Sequence, residues 1–147
     1  MKEELYQFCE AYILGRLQRI KSNIEEINNS LNSETKSSAG DKHETGRAML
    51  QLEREKLGQQ LLEAEKTTII LRKVNASTQS KTIILGSLVK TTNANYYIAI
   101  SAGKFEDNNT TVFCISASTP IGKLLMGKQE GTTFKFNGKE HKILNVN

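Results

Sequence analysis

The sequence predicts an α+β chain: an antiparallel coiled-coil helical hairpin over residues 1–75, then a small antiparallel β-domain with one short helix over residues 76–147. Three observations predict it. Apolar residues in the first half recur at coiled-coil spacing, a single polar stretch interrupts them, and the second half changes to period two with β-branched side chains.

The hairpin comes first in the chain. Ile13, Leu17, Ile20, Ile24, Ile27 and Leu31 are spaced 4, 3, 4, 3, 4, which makes an a/d seam. Leu5, Phe8 and Tyr12 extend that apolar face upstream. Residues 32–47 are almost wholly polar, and the seam then resumes at Leu50, Leu57, Leu61, Ala64, Thr68 and Leu71, with Arg54 at the skipped position. No proline precedes Pro120, so nothing forbids long helices. Two helices of about 30 residues would each run ~45 Å. The polar break is where the chain turns back, with Ser38, Gly40 and Asp41 supplying turn and capping chemistry. A dimeric coiled coil or a pair of bundle helices would use similar stripes. One stripe per helix favours an intramolecular hairpin, and so a monomer, because it satisfies both stripes without a partner.

The second half reads as short strands at 82–85, 87–90, 96–100, 111–115, 133–136 and 142–146. Asn93-Ala94-Asn95, Asp107-Asn108-Asn109 and Asn137-Gly138-Lys139 read as turns, and Asn-Gly between two strands is the clearest hairpin signal. One helix interrupts them at Pro120–Gly127, with Thr119 as N-cap, Pro120 in the first turn and Gly127 at the end. Leu124, Leu125, Phe134, Ile143 and Val146 are the expected core around it.

Composition narrows the function. Hydrophobic residues make up 37% of the chain, a low share that suits an exposed helix pair on a small core. No apolar run is long enough to span a membrane, and the acidic start Met1-Lys2-Glu3-Glu4 has no apolar signal core, so a cytoplasmic protein is expected. Cys9 and Cys114, each among apolar neighbours, read as two reduced, buried thiols. The net charge of +4 lies wholly in residues 76–147, which hold 8 Lys and Arg against 4 Asp and Glu. That weakly favours an acidic or nucleic-acid-bearing partner. There is no arginine-rich run and no aromatic stacking pattern, which speaks against direct DNA binding.

Motifs for self-contained catalysis are missing: no Gly-x-Ser-x-Gly elbow, no phosphate-cradling glycine loop, no His-Glu-x-x-His. Of the two histidines, His43 falls in the tip and His141 reads as a surface strand residue. The informative segment is Ala39-Gly40-Asp41-Lys42-His43-Glu44. Asp41 and Glu44 stand three apart where the second helix begins, on one helical face. Such a carboxylate pair suits Mg²⁺, which takes one or two carboxylates and fills its shell from water or another molecule. The same spacing is a capping box in form, with Asp41 as N-cap and Glu44 at the third helical position. Both readings stand on the spacing.

Two segments resemble the bacterial Gre transcript-cleavage factors. Ile115-Ser116-Ala117-Ser118-Thr119-Pro120-Ile121-Gly122-Lys123-Leu124-Leu125-Met126-Gly127-Lys128 is similar to that family's strand, Ser-Pro-Ile, helix and Gly-Lys signature, and Gly40-Asp41-Lys42-His43-Glu44 is similar to its Gly-Asp-x-x-Glu hairpin tip. The resemblance implies a coiled-coil hairpin followed by an FKBP-like domain. It further implies that the hairpin enters the secondary channel of RNA polymerase, where Asp41 and Glu44 help hold the second catalytic Mg²⁺ while the polymerase hydrolyses the 3′ end of a backtracked RNA. The chain would then be no enzyme itself; it would meet the nascent RNA only indirectly, and Ser118, Thr119, Pro120 and Ile121 would occupy the loop that docks at the channel rim. The tip departs from the family's Asp-x-x-Glu-Asn-x-Glu-Tyr: here Thr45-Gly46-Arg47-Ala48 follow Glu44. Gly46 loosens the first helical turn by roughly 1 kcal/mol relative to alanine, and Arg47 adds a positive charge that would hold an RNA phosphate or the carboxylates themselves. A channel-binding regulator without cleavage activity, and a coiled-coil structural adaptor, are the alternative readings.

Overall fold

The computed structural model describes residues 1–36 and 41–147, and of these it leaves out the side chains of residues 34–36 and 41–43. Helix α1 runs Lys2–Lys36 and α2 runs Asp41–Arg72. Then follow β1 (Leu88–Thr91), β2 (Asn95–Ala99), β3 (Gly103–Asp107), β4 (Thr110–Ser116), α3 (Pro120–Leu125), β5 (Thr133–Phe136) and β6 (Lys139–Val146). The class is α+β, as the sequence predicts. The chain divides into two compact units, one of residues 13–67 and one of residues 1–12 with 68–147. No helix among the described residues is long and apolar enough to cross a membrane.

In the unit of residues 13–67 the seam read from spacing is the inward face of a helical hairpin. Ile13, Ile20, Leu57 and Ala64 are buried, and Leu17, Ile24, Ile27, Leu31, Leu50 and Leu61 are half-buried. Arg54, the polar residue in the seam, is also half-buried. Its guanidinium lies over Gly58, where an added Cβ would come within 3.3 Å of Nη1. The apolar stem can thus cover the seam while the charge keeps to the rim. The helices extend further into the polar stretch than apolar periodicity indicates, to Lys36 and from Asp41. Polar residues such as Glu, Lys and Arg form helix well when no core is needed to hold it.

The other unit is built on one six-stranded sheet in the order β3-β4-β2-β1-β6-β5. It is mixed rather than antiparallel, because β2 and β4 pair in parallel, Tyr97 opposite Cys114. The intervening β3 makes this possible by returning as an antiparallel edge beside β4. β3 carries only Phe105 as a large apolar residue, so it gives no alternating signal in the sequence. Residues 82–85, by contrast, are expected as a strand and form only a single bridge, Thr82 to Gln129. Their apolar run reflects the complete burial of Ile83, whose amide donates to the Lys128 carbonyl at 2.8 Å. Two of the short hairpins, β3–β4 and β5–β6, turn where the sequence places them: Asn108 and Asn109 have φ of 44° and 56°, and Asn137 and Gly138 have 52° and 78°, the positive pair that a two-residue loop needs.

Two layers cover the sheet. On one face Ile121 and Leu125 of α3 pack on Ile83, Val89, Tyr96, Ile98 and Ile143, with Phe134 and Val146 against them. Leu124, also expected there, is half-buried and outside that cluster; only positions four apart on so short a helix face the sheet. On the other face the first turns of α1 bring Leu5 and Cys9 down to a buried layer that includes Tyr97, Val112 and Cys114, and Phe8 meets Phe105 edge-on at 5.4 Å. His141 is not a surface residue. It is 6% exposed, stacked on Phe134 at 5.0 Å and edge-on to Phe136, because the β5–β6 register sets it opposite Phe134. Cys9 and Cys114 are both free and buried, as expected.

Candidate functional site

Asp41 and Glu44 both lie in α2, three residues apart, a spacing that puts them on one helical face. Glu44 is exposed, free of any burial cost for its charge. Ser38, Ala39 and Gly40, and the side chains of Asp41, Lys42 and His43, lie outside the described residues, so the choice between cap and metal pair for Asp41 lies outside them too. Among the described residues no three His, Cys, Asp or Glu side chains gather as a metal site. Arg47 is half-buried, and its Nη1 donates to the Leu31 carbonyl across the hairpin at 3.5 Å. That contact ties the two helices behind Glu44 and competes with an RNA role for the guanidinium.

Gly46 is helical, and nothing lies within 4 Å of a Cβ added there. Gly46→Ala is therefore expected to stabilise the hairpin by about 1 kcal/mol, since it removes backbone freedom from the unfolded chain without a clash. A denaturant titration followed by far-UV circular dichroism measures it; a lower midpoint would contradict the open surroundings.

The second candidate is the loop between β4 and α3. Thr119 sits in extended geometry, φ −69° and ψ 158°, as the N-cap of α3. Its hydroxyl donates to the Ser116 carbonyl at 2.7 Å and accepts from the Gly122 amide at 3.1 Å. The Ser116 and Ser118 hydroxyls lie 2.8 Å apart, and the Ser118 amide donates to Ser116 Oγ at 3.2 Å. Pro120 begins the helix, where its missing N–H costs nothing. The four residues expected at a partner surface therefore divide. Ser118 and Pro120 are exposed and Thr119 is half-buried, while Ile121, 8% exposed, belongs to the core. Sequence reasoning missed Ser116, which holds the loop from below, and the need for glycine at 122. An isolated glycine inside a helical stretch is the signal that points to such a close approach.

Replacing Thr119 removes both of its bonds. Thr119→Ala is expected to destabilise the protein by about 1–2 kcal/mol, with Thr119→Ser recovering most of the loss. Equilibrium unfolding of the three proteins checks this, and equal stabilities would show that the cap contributes nothing.

No protein-family model matches the chain, and no curated protein matches it in sequence. A solved structure of the transcription factor Gfh1 is similar over 91% of this chain and 90% of that one, at 19% identity and a TM-score of 0.36.

Proposed function

We propose that this chain is a Gre-like transcription factor that binds RNA polymerase through the secondary channel and stimulates cleavage of backtracked RNA. The observation that carries the reading is that Asp41 and Glu44 both lie in α2, three residues apart and so on one face of the returning helix. The two segments similar to the Gre family support it, as does the loop that presents Ser118 and Pro120 to solvent.

An exposed carboxylate at Glu44, with Asp41 one turn away, fits a partial ligand set for Mg²⁺, whose remaining positions belong to another molecule. Bound between the two proteins, that ion would polarise water and neutralise charge on the transferred phosphoryl group. The residues of this chain would contribute oxygen ligands and orient them from a rigid helix. The loop around Thr119 would contribute a preformed docking edge. The chain acts in this reading without an active site of its own.

The test uses polymerase stalled and backtracked on end-labelled RNA with Mg²⁺. Addition of this protein is expected to release a short 3′ fragment. A second reading, a channel regulator that does not cleave, is favoured by one observation: the bond from Arg47 to the Leu31 carbonyl sits where the Gre tip sequence and this one diverge. Binding by gel filtration with no fragment released would select that reading. No binding at all would remove both.

A further inference from the structure

We propose that Cys9 and Cys114 form a modification site: a buried thiol pair that a peroxide converts into an intramolecular disulfide, stapling the first turns of α1 to β4.

The two cysteines are about a hundred residues apart in sequence, but the fold brings them together. Cys9 follows Phe8, which touches Phe105 of β3. Cys114 lies opposite Gly103, two residues before Phe105 on that same strand. Cys9 is 0% exposed and Cys114 is 2% exposed. Their thiols are within hydrogen-bonding reach of one another: the Cys114 bond pulls the Cys9 pKa down, against the upward pull of burial, and the same bond pushes Cys114 up.

Two further observations suit oxidation. A surface cavity of ≈ 410 Å³ reaches Cys114 past Tyr12, Gly103 and Phe113, an opening suited to a small oxidant. The Tyr97 hydroxyl is buried with no hydrogen-bond partner among the described residues, and it lies near enough to both sulfurs for their charge to raise its pKa, after burial itself. It is a spare donor for an oxygen placed on sulfur.

The step balances with hydrogen peroxide as the oxidant. The Cys114 sulfur, which lines the cavity, attacks the O–O bond and becomes a sulfenic acid, with release of one water. The Cys9 sulfur then displaces that oxygen, which leaves as a second water with the Cys9 proton. Two thiols have lost two electrons and two protons, and the peroxide has become two waters. Burial of both sulfurs keeps other chains away, so the product is internal to one chain.

The full chain, first reduced and freed of reductant, is treated with excess hydrogen peroxide. It is then denatured, alkylated with iodoacetamide and weighed intact. The expected product is a monomer lighter by two hydrogens that takes up no alkyl group, yields a linked Cys9–Cys114 peptide on digestion, and recovers two alkylation sites after dithiothreitol. Cys9→Ser and Cys114→Ser should each leave a species without that link. Two alkylated thiols after peroxide, separate sulfinic acids, or disulfide-linked dimers would each overturn the proposal, and the measurement on the unsubstituted chain stands even if a serine variant misfolds.

Discussion

Asp41→Asn and Glu44→Gln are each expected to lower RNA cleavage by backtracked polymerase by about 100-fold, the scale of losing a group that supports a metal, while binding to the polymerase is unchanged. The pair of substitutions separates the two readings of the tip. Asparagine is as good an N-cap as aspartate, and glutamine serves as well as glutamate at the third position of a capping box. Each variant thus preserves whatever capping these positions provide to α2 and removes only a negative charge. A cap needs an acceptor oxygen; a Mg²⁺ ligand set needs the charge as well. Glu44 is exposed, so its neutralisation relieves no burial and should leave stability within about 0.5 kcal/mol. The measurement is the rate of 3′ fragment release at saturating protein, with circular dichroism as the control for folding. Cleavage at the rate of the unsubstituted chain in both variants would leave the carboxylates as caps and nothing more.

Much of this architecture is legible in the sequence because burial imposes a period on it. The seam from Ile13 to Leu31 and from Leu50 to Leu71 is read from spacing alone, and the structure buries or half-buries the same positions. The turns at Asn108-Asn109 and Asn137-Gly138 are legible for a different reason, since few residues accept positive φ. What the sequence hides is what depends on pairing across distance. β3 is an edge strand with one apolar side chain, and no local pattern marks it. The parallel pairing of β2 with β4 is a fact of topology, invisible in either strand. Residues 82–85 mislead because burial of Ile83 in a turn-rich segment looks like half a strand. At the candidate sites, Thr119 as N-cap is legible from Thr-Pro before an apolar run. The burial of Ile121 away from the presumed docking edge is not, because a six-residue helix leaves its facing undetermined until the sheet is placed.

Gly122→Ala is expected to be the most damaging single substitution in the β4–α3 loop, at about 3 kcal/mol, the upper part of the range for forcing a methyl group into a packed site. A Cβ there would collide with the Ser116 carbonyl oxygen, and it would lie 2.8 Å from Thr119 Oγ1 and 3.0 Å from the Ala117 carbonyl carbon. Two of those three neighbours are backbone, and the third is fixed by its own bonds to Ser116 and Gly122, so no flexible side-chain end can swing aside. Relief requires α3 to move off the loop. That movement breaks the bond from the Gly122 amide to Thr119, and it displaces Ile121 and Leu125, which are anchored in the core of the sheet. The cost therefore couples cap to core and should exceed that of Thr119→Ala, which removes the two hydrogen bonds and adds no atom. Gly127→Ala is the matched control: it stands at the other end of the same helix with φ +81° and nothing within 4 Å of an added Cβ, so it carries only the backbone penalty of about 1 kcal/mol. Denaturant midpoints for the three variants should fall in that order, with Gly122→Ala lowest. Because Ser118 and Pro120 ride on the same loop, Gly122→Ala should also weaken polymerase binding under conditions where the protein is still folded. A Gly122→Ala protein as stable as Gly127→Ala would mean that the loop can open at Ser116 without disturbing α3, and would leave Ser118 and Pro120 without the rigid support that a preformed docking edge requires.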